Sequence, residues 1–143
     1  MIIWLDDDSD ITLMPFIDAL EILGGYELTH LNNPDDFFDF LNRTHPEEIT
    51  AFIIDIMMPT GQNVFTNTRE SEVGSLTGLV LLKRLQEDEK YKKIPKLIFS
   101  ITDREAVNQW ADQNKIRRLK KQRTSTVNLV DEVNDLTGRN KHA

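Results

Sequence analysis

Six residues, scattered over 143 positions, could do joint chemistry if the chain folds them together. They are Asp6, Asp7 and Asp8 in "WLDDD", Asp55 in "IIDIMMP", Ser100 in "LIFSITD" and Lys121 in "RLKKQ". Carboxylates packed together repel one another, and a hard divalent cation such as Mg²⁺ is the usual remedy. A carboxylate can also attack phosphorus and become an aspartyl-phosphate. Lysine supplies a compact positive charge for a phosphoryl group, and a serine hydroxyl can donate to one of its oxygens. Each residue alone has a plainer reading. The aspartate triplet could be a solvated turn in which Asp8 or Ser9 caps a helix, Asp55 a strand-end cap, Ser100 a strand serine and Lys121 a surface lysine. Only their joint placement carries the signal.

That placement depends on the elements before them. The runs "IIWL" (2–5), "AFIIDI" (51–56) and "KLIFSI" (96–101) lack strict alternation, as expected of strands buried on both faces of a parallel sheet. "YELTHL" (26–31) and "KIRRLKK" (115–121) read as weaker strands nearer the edges. Helical patterns alternate with them. Residues 10–23 place Ile11, Met14, Ile17, Leu20 and Leu23 on one face and stop at Gly24-Gly25. The other helices are expected over 33–43, opened by an Asn33-Pro34 cap, and over 77–91, 103–114 and 125–138. Five β-α repeats imply an open α/β sheet with helices on both faces, in which sites form at the carboxyl ends of strands. The carboxylates, hydroxyl and ammonium all fall there.

Composition narrows the functions. A net charge of −7 disfavours general nucleic-acid binding. Without cysteine there is no disulfide, thiolate zinc site or thiol catalysis. No run is long enough for a membrane span, and "MIIWLDDD" does not read as a signal peptide, so the expected setting is the cytoplasm. The three histidines, His30, His45 and His142, share no metal-ligand spacing and read as surface residues. Trp4 and Trp110 read as packing residues.

The four motifs, in this order, resemble the CheY-like receiver domain of two-component response regulators over essentially the whole chain. The resemblance implies a flavodoxin-like (βα)5 three-layer sandwich with a parallel five-stranded sheet in the order 2-1-3-4-5. It makes residues 1–138 the receiver domain, with 60–77 as an extended loop insertion and 139–143 as a polar tail. It makes Asp55 the phosphoacceptor, Lys121 and Ser100 its catalytic partners, and Asp6, Asp7, Asp55 and the Met57 backbone carbonyl the ligands of Mg²⁺. Asp7 is the direct ligand and Asp6 acts through water. The implied partners are a histidine kinase or histidine phosphotransfer protein and a downstream protein. No nucleic acid is expected, the state is a monomer or weak dimer, and catalysis is limited to the domain's own phosphorylation and dephosphorylation. With no output domain in view, the signal is expected to leave by protein contact or by passing the phosphoryl group on.

Four positions depart from the family pattern. Gln122 stands where proline usually follows the lysine, Arg118 where the fifth strand carries an aromatic switch residue, and Ile101 where a small residue adjoins the switch hydroxyl. The segment 60–77 is longer than an ordinary connection, and it reads either as disordered or as a lid anchored by Val64, Phe65, Val73 and Leu76. The basic cluster Lys115, Arg117, Arg118, Lys120, Lys121 and Arg123 reads as a solvated edge or as a face that attracts an acidic partner. Two other functions compete. One is a haloacid-dehalogenase-like phosphohydrolase with Asp6 as nucleophile, although Asp10 departs from its pattern. The other is an unphosphorylated interaction module on a receiver fold.

Overall fold

The computed structural model of the protein describes residues 1–62 and 75–139. Five strands, β1 (Ile2–Leu5), β2 (Leu28–Leu31), β3 (Ala51–Ile54), β4 (Lys96–Ser100) and β5 (Arg117–Lys120), alternate with five helices. These are α1 (Asp10–Asp18), α2 (Pro34–Asn42), α3 (Thr77–Glu87), α4 (Glu105–Gln113) and α5 (Thr126–Leu136). The strands pair in parallel in the order β2-β1-β3-β4-β5, as the sequence implies.

Every residue of β1, β3 and β4 is buried, while edge strands β2 and β5 are only partly covered. Strand alternation sorts the central side chains into two cores. Ile3, Leu5, Phe52, Ile54 and Ile98 pack with Phe37 and Leu41 of α2, Leu82 and Leu85 of α3 and Val107 of α4. Ile2, Trp4, Ile53, Leu97 and Phe99 pack with Leu13 of α1 and Leu129 and Val133 of α5. Trp4 meets Phe99 edge to face at 5.6 Å, fixing the second core between its sheet and helices. Trp110 packs against the first core, as expected.

Helix ends follow local chemistry. Ser9 and Asn33 cap α1 and α2 through backbone N–H groups three residues on, so Ser9 rather than Asp8 is the first cap. Helix α1 continues as a wider π-helical turn over Ala19–Leu23, with Pro15 inside the helix. This segment departs from its expected face. Ile11, Met14 and Leu23 are exposed, whereas Leu13 and Leu20 are buried and Phe16 and Ile17 partly so. A strict 3.6-residue period cannot track a helix that changes its pitch.

Candidate functional site

The sheet delivers the acidic groups to one edge. Asp6 and Asp55 lie one residue beyond β1 and β3, yet their backbones continue the ladder. Asp6 N–H donates to Leu31 O (3.0 Å) and Asp55 N–H to Leu5 O (2.9 Å). Both carboxylates are thus held by strands rather than by free loops, and both residues are buried. Ser100 ends β4, and Lys121 directly follows β5.

Lys121 draws the acids together. Its Nζ lies 2.7 Å from Asp6 Oδ2, 3.0 Å from Asp8 Oδ2 and 3.2 Å from Asp55 Oδ2. The contacts to Asp8 and Asp55 are hydrogen bonds, while that to Asp6 is an ion pair by distance only. Lys120, one residue earlier, points to the other side and pairs with Asp103. Asp55 Oδ1 is buried and has no hydrogen-bond partner among the described residues. Burial, followed by the nearby Asp6 charge, pushes the Asp55 carboxyl up to about 6, while Ser100 and Lys121 oppose the rise. Burial and the charges of Asp6 and Asp8 also raise Asp7. Burial alone would lower Lys121, but its close contact with Asp6 and the charges of Asp55 and Asp6 carry it above the ordinary lysine value.

The Ser100 hydroxyl accepts long bonds (3.4 Å each) from Ile56 N–H and Thr102 N–H. The same hydroxyl is close enough to Asp55 to favour its ionised form. Met57 is exposed, and no described donor occupies its carbonyl. Carboxylate oxygens of Asp6, Asp7 and Asp8 lie within 4.8 Å of one another. Asp55 stands outside that trio but meets Asp6 and Asp8 through Lys121. Four carboxylates around one ammonium leave an excess of negative charge, and Asp55 Oδ1 is an unused buried acceptor. The residues fit a hard divalent cation.

Three supports escaped the sequence reading. Asp8, counted in the acidic triplet but left out of the site residues that the resemblance implies, is a direct partner of Lys121. His30, read as a surface residue, has a side chain only 7% exposed. Its Nε2 is 2.8 Å from the Asp6 carbonyl oxygen and its Nδ1 2.5 Å from Asp10 Oδ1. Its position near the carboxyl end of β2 was the available signal. Gly78 is the third. Its N–H donates to Ile56 O at 2.9 Å, and a Cβ there would lie 2.0 Å from the Asp55 carbonyl oxygen. Only glycine lets α3 approach the acceptor strand this closely.

Arg118 is exposed and pairs with Asp112 at 2.8 Å, so no ring occupies the switch position. Ile101 is half exposed, and Lys121–Arg123 form a tight 3-10 turn containing Gln122. The β5 cationic cluster is largely neutralised from within, since Arg117 pairs with Glu132 and Asp135, Arg118 with Asp112, Lys120 with Asp103 and Lys121 with the site. His45 is exposed, as expected, whereas His142 and residues 63–74, which include three of the four expected lid anchors, lie outside the described residues.

No family model matches the chain, and no curated protein does. Solved structures do. The signal receiver domain of a signal transduction histidine kinase from Syntrophus aciditrophicus matches with TM-score 0.69 and 20% identity, covering 99% of this chain and 93% of that one. The Francisella response regulator 1452 receiver domain matches with TM-score 0.68 and 23% identity over 96% of both chains. The Vibrio cholerae chemotaxis protein CheY4 matches with TM-score 0.68 and 16% identity over 94% of this chain and 96% of its own. The fold is therefore that of CheY-like receiver domains, and alignments of this coverage do not set 60–77 apart as a long insertion. Among the described residues no helix is long and apolar enough to cross a membrane.

Proposed function

We propose that the chain is a response regulator receiver whose Asp55 accepts a phosphoryl group from a histidine kinase or histidine phosphotransfer protein. The observation that carries this reading is the division of labour at Asp55. One oxygen is held by Lys121, and the other is buried, unbonded and free to attack. In the step, an Asp55 oxygen forms a bond to phosphorus. The phosphorus–nitrogen bond of the phosphohistidine breaks, and its electron pair leaves with the imidazole, which gains a proton. Lys121 offsets the charge gathering at the site, and the Ser100 hydroxyl beside Asp55 can donate to a phosphoryl oxygen.

Asp6, Asp7, Asp55 and the Met57 carbonyl would hold Mg²⁺, with Asp8 beside them. Bound there, the ion would supply neutralisation of the phosphoryl oxygens. The domain is read as residues 1–138, with 60–77 as an extended connection and 139–143 as a polar tail. It acts in the cytoplasm as a monomer or weak dimer, signals by phosphorylation-dependent protein contact and acts on no separate substrate. The hydrolase reading loses support because Asp6 Oδ1 accepts from Asp8 N–H and its Oδ2 is ion-paired with Lys121 at 2.7 Å.

Incubation with Mg²⁺ and acetyl phosphate, followed by peptide mass spectrometry, tests the proposal. A phosphoryl adduct on Asp55 that is absent in Asp55→Asn is expected. An adduct on Asp6, or none together with no beryllofluoride binding in the folded protein, would refute it.

A further inference from the structure

While Arg117, Arg118, Lys120 and Lys121 are paired internally, a second group of cations lies at the opposite end of the molecule. Two depressions of about 160 and 320 Å³ meet there, sharing Gln86, Lys92 and Asn114 in their linings. Lys83 of α3, Lys92 and Lys93 of the turn after α3, and Lys115 after α4 surround them, all exposed. None of these four ammonium groups has an ion-pair partner among the described residues. Glu87 is the one carboxylate in either lining.

The surface is built rather than merely charged. Buried Lys96 sends its Nζ beneath the turn and donates to the carbonyls of Tyr91 (2.7 Å), Ile94 (2.8 Å) and Lys92 (3.3 Å). That rivet fixes the segment presenting Lys92 and Lys93, so fewer conformations are lost when a ligand binds. Lys115 holds a φ of 56°, a backbone conformation disfavoured for side chains larger than glycine. Half-buried Trp110 lines the second depression beside Lys83 and Lys92, adding an apolar platform among the charges.

We infer that this groove docks an acidic peptide segment of a partner protein, with glutamate or aspartate side chains on the lysines and an apolar side chain against Trp110. Charge complementarity selects the occupant. The body carries a net charge of −7, which repels long polyanions and anionic membranes. A short acidic segment meets the local lysines without lying along the rest of the surface. Lys96 opens β4 and Ser100 closes it, so roughly 13 Å of strand separates the groove from the phosphoryl end. Docking is therefore independent of the Asp55 reading, and the failure of either leaves the other standing.

The test uses the full chain and a fluorescein-labelled peptide of glutamates around one central leucine, followed by anisotropy at low and physiological salt. Saturable binding that weakens with salt is expected, with amide shifts gathered at residues 83, 92, 93, 110 and 115. Lys92→Glu/Lys93→Glu should lose at least tenfold in affinity while keeping the wild-type melting curve, and Asp55→Asn should bind as wild type. Absence of saturable binding, indifference to the double reversal, or loss of binding in Asp55→Asn would overturn the inference. Equal or tighter binding of oligothymidylate or phosphatidylserine vesicles would overturn it as well.

Discussion

Replacing Asp55 with asparagine should make the metal-free protein more stable, although it removes a partner of Lys121. A carboxyl held near 6 instead of its ordinary 3.8 is harder to ionise in the fold than in the unfolded chain. At about 1.4 kcal/mol per tenfold, that penalty is about 3 kcal/mol. The sign follows from proton binding. Below pH 4 both states carry the proton and the penalty is absent. It grows as pH rises from about 4, where the unfolded chain ionises, to about 6, and is constant above. Asparagine mimics the protonated group at every pH. With an unfolding entropy of about 2.1 cal/mol/K per residue, 3 kcal/mol corresponds to a rise of about 10 °C in Tm. Calorimetry of wild type and Asp55→Asn in EDTA at pH 7.5 and pH 4 reads the effect directly. A variant that is no more stable at pH 7.5, or whose advantage is undiminished at pH 4, would refute the electrostatic account of the site. Saturating Mg²⁺ should narrow the gap, because it stabilises the ionised wild type preferentially.

Lys121→Met leaves Asp6, Asp8 and Asp55 facing one another. It should cost about 3 kcal/mol at pH 7.5, less at pH 5 where Asp55 is protonated, as urea titrations at the two pH values would show. Gly78→Ala forces a methyl into the Asp55 carbonyl and should lower stability by about 3 kcal/mol while slowing Asp55 labelling, measured by thermal melting and acetyl phosphate kinetics. His30→Ala removes a bond of about 1 kcal/mol from the Asp6 backbone. It should weaken Mg²⁺ binding about fivefold by titration calorimetry, with His30→Gln recovering part of the loss.

Much of this architecture was legible because its signals are local. Unbroken apolar runs identified β1, β3 and β4, and the groups following them revealed the site edge. What escaped reading depends on distance or pitch. The cap and the cation partner compete within Asp8-Ser9, and only the position of Lys121 decides between them. The place of His30 near the carboxyl end of β2 hints at the site, but its burial depends on α1 bringing Asp10 against it. Pairing likewise hides in sequence. Arg117 and Arg118 look like free charge until Glu132, Asp135 and Asp112 arrive from two helices.

The neighbouring lysines at the end of β5 have an evolutionary consequence. Because they project to opposite sides, deleting a residue of β5 before Lys120 would carry Lys121 into the place of Lys120 and Gln122 into the place of Lys121. The ammonium now inside the acidic pocket would turn toward the α4 side, and an uncharged amide would take its place among the aspartates. Substitutions along β5 are therefore tolerable in a way that insertions and deletions are not. Its length, more than its composition, keeps a counter-charge among the aspartates.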